Sequence, residues 1–166
     1  MWTMKGCDVN MKYALIGCGR IATNHMTAAV NNKLRIVAVC DVMEKKTEDL
    51  LVKHELSDNP DIKRYVDYKL MIEKEKPELV SIATESGNHA AIALDVIKMG
   101  INVIIEKPMA MSIADADAII DAAEKYGVKV SACHQNRFNI AIQKLRKALE
   151  GGRFGKLDYG DRKSVV

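Results

Sequence analysis

The sequence predicts an α/β fold, a doubly wound parallel sheet, on three observations. Short apolar runs alternate with longer segments of helical periodicity from Met11 onward. The first run, residues 13–16, passes directly into Gly17-Cys18-Gly19-Arg20-Ile21-Ala22, a G-x-G-x-x-A turn leading from strand to helix. The second run, residues 34–40, ends in an acid, Asp41, which lies 24 positions after Gly17 (41 − 17).

Each residue of that turn has a physical task. Gly17 permits the tight exit from the strand, Gly19 lets a pyrophosphate approach the backbone, and Ala22 lets the following helix pack close to the sheet. The N-terminus of that helix offers free N–H groups and partial positive charge to the phosphates, beside Arg20 and Ile21. Asp41 stands where a carboxylate accepts hydrogen bonds from an adenosine ribose, and its charge would repel a 2′-phosphate. The expected cofactor is therefore NAD rather than NADP, although Lys45 and Lys46 follow close behind.

The remaining elements alternate in the same way. Helices are predicted at 21–30, 43–54, 68–76, 89–99, 112–126 and 138–150. Strands are predicted at 63–66, 79–83, 102–105 and 128–132, and a further one at 156–159. Pro77 stops one helix, Gly100 and Gly127 end two others, and Ser112 with Asp115 forms a variant capping box. Ligands of such sheets bind beyond the carboxyl ends of the strands, so the informative residues are those just after each strand. They are residues 17–21, Asp41, 84–89, 106–108 and 134–137, all polar or glycine-bearing turns.

Bulk properties exclude several classes. The chain has 166 residues, 48% of them hydrophobic and 28% charged, which suits one ordinary globular domain. Its net charge of +3 arises from interspersed Lys and Glu, with no basic block carrying aromatics, so nucleic acid is not an expected partner. No apolar run nears the ~20 residues of a membrane span, and residues 1–10 lack the core of a signal peptide. Those ten residues read as a loose leader. Cys7, Cys18, Cys40 and Cys133 form no C-x-x-C pair, so a zinc site is not expected and a reducing cytoplasm is. Cys18 carries two readings: a loop filler, or a thiol whose pKa the helix N-terminus lowers.

Four segments together make the sequence recognisable: GCGRIA, VSIATESGNH, VIIEKPMA and HQNRFN. The chain resembles the glucose–fructose oxidoreductase/inositol dehydrogenase (Gfo/Idh/MocA) family over about residues 11–157, with a Rossmann-type cofactor domain at 11–150. ATESGNH and HQNRFN are most similar to members that oxidise the 3-hydroxyl of UDP-N-acetylglucosaminuronate with NAD in surface-polysaccharide biosynthesis. The resemblance makes Lys107, of Glu106-Lys107-Pro108, the catalytic residue, and Lys-Pro bonds at that point are often cis. Bottom-up chemistry agrees: oxidising a secondary alcohol needs a proton acceptor where the nicotinamide lies, and burial would make the neutral amine accessible. The other reading pairs Lys107 with Glu106 on the surface.

The resemblance further implies that Thr84, Glu85, His89, Glu106, Lys107, Gln135 and Asn136 border the cofactor, and that Lys107, Asn136 and Arg137 meet the substrate. His89 is open between a neutral contact to ribose and a helix cap; Arg137 between a bidentate anion contact and a structural ion pair. The family's second, α+β domain would begin at 151–166, so the chain is expected to be truncated there, to bind cofactor without turnover, and to form a homo-oligomer through an uncovered last helix. The reading from a different class is a non-catalytic NAD-binding or assembly module.

Overall fold

The structure, a computed structural model, describes residues 10–156. Its first compact unit ends at Cys133 and a second begins at His134. Residues 134–150, grouped with the first domain from the sequence, therefore have their own set of contacts.

Six parallel strands form the sheet of the first unit: β1 (Lys12–Ile16), β2 (Arg35–Cys40), β3 (Lys63–Tyr65), β4 (Leu79–Ile82), β5 (Asn102–Ile105) and β6 (Val130–Ala132). The helices are α1 (Ala22–Asn31), α2 (Glu44–Lys53), α3 (Tyr68–Glu75), α4 (His89–Lys98) and α5 (Ile113–Tyr126). The strand order is β3-β2-β1-β4-β5-β6, so the chain reverses direction across the sheet between β1 and β4. All five pairings are parallel, with Leu15 opposite Val39 on one side and Ser81 on the other.

The period of two along β1 sorts its side chains between two cores. Tyr13 and Leu15 pack with Ala22, Met26 and Ala29 of α1 and with Leu50 and Leu51 of α2. Ala14 and Ile16 face the other way, toward Met71 of α3, Val96 and Ile97 of α4 and Ile119 of α5. Both faces are thus covered by helices, which is why the central strands read as mostly apolar runs instead of alternating ones. Each fully buried Leu, Ile or Met contributes roughly 1.5–3 kcal/mol by leaving water.

The local signals act as expected at most ends. Ser112 Oγ accepts from Asp115 N–H at 3.1 Å and caps α5. Gly127 adopts φ +66 after that helix. β6 is shorter than predicted because Val128 is used to close α5, its N–H donating to Ala123 O at 3.1 Å. In the second unit a short 3-10 turn, Gln135–Phe138, precedes α6 (Ile140–Glu150), whose N-cap Asn139 accepts from Ala141 N–H at 2.9 Å. Residues 1–9 of the expected leader and 157–159 of the expected last strand lie outside the described residues. No described helix is long and apolar enough to cross a membrane.

Candidate cofactor site

The turn after β1 is tightly constrained by its own backbone. Gly17 has φ +92, and a Cβ there would lie 2.6 Å from the backbone of Ala83 and Thr84 at the end of β4. Only glycine fits between the two central strands at that point. Gly19 differs: a Cβ on it would meet nothing within 4 Å. No described residue requires glycine there, so the open space is available to a ligand. Beside it, α1 begins with no side-chain cap and no acid in its first turn, leaving its N-terminal N–H groups unclaimed by side chains.

These groups border a cleft of about 770 Å³ at the carboxyl end of the sheet, where the strand order reverses. A cleft of that size suits a small-molecule cofactor. Gly17, Gly19, Arg20, Ile21, Asp41, Thr84 and Glu85, all named from the sequence, line it. Asp41 is held in place by two backbone donors, Cys18 N–H to Oδ2 at 2.8 Å and Met43 N–H to Oδ1 at 2.9 Å. A carboxylate has about four acceptor positions, so two remain for hydroxyls. Lys46 Nζ stands 4.0 Å from Asp41 Oδ1, whereas Lys45 turns to Asp49 at 3.5 Å. The anion-binding helix end, the open glycine and the anchored acid fit a dinucleotide.

Cys18 resolves against the lowered thiol. Burial, reinforced by the negative charge of Asp41, pushes it up to about 12. The side chain points into the core below the loop, only 7% exposed, rather than toward the helix N-terminus. Its Sγ lies 3.6 Å from Cys40 O.

The sequence reading missed the wall of Val42, Val66 and Tyr68 that lines the cleft beyond Asp41. Val42 and Val66 are 86% and 57% exposed, as apolar surface awaiting a flat partner would be. Val66 follows β3 directly, so the rule of looking just past each strand applied to it as well.

On the β5 side, the Lys107-Pro108 bond is cis. Lys107 is exposed, so the burial expected for it is not supplied by the described residues. Nor does Glu106 pair with it on the surface: its carboxylate turns inward, 7% exposed, onto His25 Nε2 at 3.0 Å. Lys107 N–H donates to the second oxygen at 3.1 Å. Cys133 also donates to Glu106; burial and that carboxylate raise its thiol to about 11. One potential ligand atom each from His25, Glu106 and Cys133 gather within 4.8 Å, a cluster that no sequence spacing announced. Their donors and acceptor complement one another directly.

His89 is fully buried, with Nδ1 2.8 Å from Pro108 O and Nε2 3.0 Å from Thr84 O. Neither of its expected roles describes this arrangement, since both ring nitrogens meet backbone carbonyls and none is left for a ribose. Within the second unit, Gln135, Asn136 and Arg137 are exposed on the 3-10 turn.

A family model described as oxidoreductase family, NAD-binding Rossmann fold (GFO_IDH_MocA) matches residues 11–134. The chain belongs to this family. Its cofactor is NAD. Among relatives of the Gfo/Idh/MocA family, D-apiose dehydrogenase of Paraburkholderia graminis is 31% identical over 150 residues, covering 90% of this chain and 39% of that protein. Inositol 2-dehydrogenase of Salmonella typhimurium is 26% identical over 151 residues, covering 89% and 44%. Among solved structures, the WlbA dehydrogenase from Bordetella pertussis in complex with NADH and UDP-GlcNAcA aligns with a TM-score of 0.79 at 29% identity, covering 90% of this chain and 42% of that one. The chain therefore spans about two-fifths of the length of the proteins it matches.

Proposed function

We propose that this chain is the cofactor half of an NAD-dependent dehydrogenase that oxidises a secondary hydroxyl of a sugar or sugar nucleotide, with the 3-hydroxyl of UDP-N-acetylglucosaminuronate as the favoured substrate. The observation that carries the reading is the cleft that joins the open Gly19, the uncapped start of α1 and the anchored Asp41. Its similarity to the complex of WlbA with NADH and UDP-GlcNAcA supports the choice of substrate.

In this reading the start of α1 with Gly17, Gly19, Arg20 and Ile21 holds the pyrophosphate, and Asp41 orients the ribose. Val42 and Val66 cover the adenine. Thr84 and Glu85 border the nicotinamide half. NAD, when bound, supplies the hydride acceptor. Lys107, carried past the end of β5, takes the proton from the substrate hydroxyl, and Asn136 and Arg137 hold the substrate, Arg137 by a bidentate contact to its carboxylate or phosphate. Gln135 assists at the cofactor. The protein acts in the cytoplasm and as a homo-oligomer.

Calorimetric titration of the chain with both cofactors tests the first half. NAD binds more tightly than NADP, and Asp41→Ala narrows the difference; tighter NADP binding overturns the assignment. In a protein joining this domain to a substrate domain, Lys107→Met lowers kcat at least ~100-fold, the low end for general-base catalysis, and leaves NAD affinity near normal. Unchanged turnover moves the proton acceptor elsewhere.

A further inference from the structure

We propose that two buried histidines, His25 and His89, are positioning residues for Lys107: they hold the turn on either side of it, His25 through the Glu106 carboxylate and His89 through the Pro108 carbonyl, and tie it to the two helices that border the cofactor cleft. The proposal rests on the reading of Lys107 as proton acceptor at the nicotinamide.

The turn leaves β5 with Glu106 N–H donating to Ile82 O at 2.9 Å. Next comes a buried carboxylate, which a fold tolerates only when donors surround it. Glu106 receives them from three places: His25 Nε2 at 3.0 Å from α1, Lys107 N–H at 3.1 Å from the turn itself, and the Cys133 thiol just past β6. On the far side of Lys107, Pro108 O meets His89 Nδ1 at 2.8 Å, and the same ring reaches Thr84 O at 3.0 Å. A neutral imidazole has one N–H and satisfies one of these carbonyls at a time; the imidazolium satisfies both.

The two anchors sit on meaningful elements. His25 lies in the first turns of α1, whose N-terminus closes the phosphate end of the cleft. His89 opens α4 directly after residues 84–88, which supply Thr84, Glu85 and Asn88 to the cleft wall. The Lys107 backbone is thereby referenced to both ends of the cofactor site, although its own side chain is exposed. A lysine stem is flexible, so fixing its Cα is the share of positioning the fold can supply. A misplacement of about 1 Å near a reaction centre can cost roughly 100-fold in rate, which gives this double anchoring a purpose beyond packing.

The test uses the 166-residue chain with lysines carrying ¹³C-methyl groups, the Lys107 resonance being assigned by its loss in Lys107→Arg. In the unsubstituted protein, saturating NAD+ displaces that resonance. In His25→Leu and in His89→Leu the displacement falls by at least about twofold, as expected when the four-carbon stem is no longer referenced to the cleft. His25→Gln, which keeps a donor for Glu106, restores it, and NAD affinity of both His25 variants stays within about threefold by calorimetry. A role in packing alone does not produce rescue by glutamine. If His25→Leu does not fold, Glu106→Gln, which keeps the acceptor for Lys107 N–H but weakens the grip of His25, is read in its place. A displacement that persists undiminished in these variants overturns the proposal while leaving Lys107 at the nicotinamide. The absence of any displacement in the unsubstituted protein overturns the reading of Lys107 itself, and the proposal with it.

Discussion

Two glycines two positions apart answer to different masters. Gly17 is demanded by the fold, since its positive φ and the backbone of Ala83 and Thr84 exclude a side chain. Gly19 is demanded by nothing among the described residues. Gly17→Ala therefore destabilises the domain by at least ~1–3 kcal/mol, the cost of a strained backbone, and NAD binding is lost along with it. Gly19→Ala leaves stability within about 0.5 kcal/mol but weakens NAD binding, because the new methyl occupies the approach to the backbone. Denaturant titration and calorimetry on the pair separate the two roles; equal stability losses would remove the distinction.

At the scale of elements, α3 and α4 are joined by a polar contact outside the core. Tyr68 O–H and Lys69 Nζ both reach Asp95 Oδ2 at 2.8 Å. The hydrogen bond from Lys69, then that from Tyr68, hold the Asp95 carboxyl below its ordinary value. A carboxylate depressed in the folded state stabilises above its unfolded pKa, and that stability is lost as pH falls through the folded one. The melting temperature of Asp95→Asn is thus lower than that of the unsubstituted protein at neutral pH, and the gap closes in the acid range. A gap that persists once the pH has fallen below the depressed folded-state pKa, where the carboxyl is protonated in both states, would show that Asp95 acts through shape rather than charge.

α6 presents a contrasting case. Ile142, Leu145 and Leu149, spaced to share one face, are 45%, 47% and 39% exposed on a helix that carries no buried residue. We expect this stripe to drive self-association, with light scattering giving a mass above that of the 18.4 kDa chain. Replacing Ile142 and Leu145 by Glu should return a monomer; a monomer before substitution removes the premise.

For the molecule as a whole, the sheet and its helices were legible because the central strands β1, β2, β4 and β5 are mostly apolar runs and several helices have a cap or stop in sequence, as Ser112 and Gly127 do for α5. That the glycine turn and Asp41 meet at one cleft was legible because their spacing is local. What escaped was whatever depends on which strand lies beside which. His25 and Glu106, 81 positions apart, meet only because β1 adjoins β4 and β4 adjoins β5. The inward turn of His89 onto Pro108 O, and that of Cys18 away from the helix end, are likewise set by the order of strands and by which face a residue takes. No periodicity records these.

The hydrogen bond from Cys18 N–H to Asp41 Oδ2 forms within the protein alone. In the proposed reading, the loop that holds the pyrophosphate is thereby latched to the acid that orients the ribose before either is engaged. Little chain disorder remains to be removed on association, so the entropic cost of ordering a flexible loop falls away. Capture should accordingly follow simple second-order kinetics, its observed rate rising linearly with cofactor concentration and showing no plateau from a slow rearrangement.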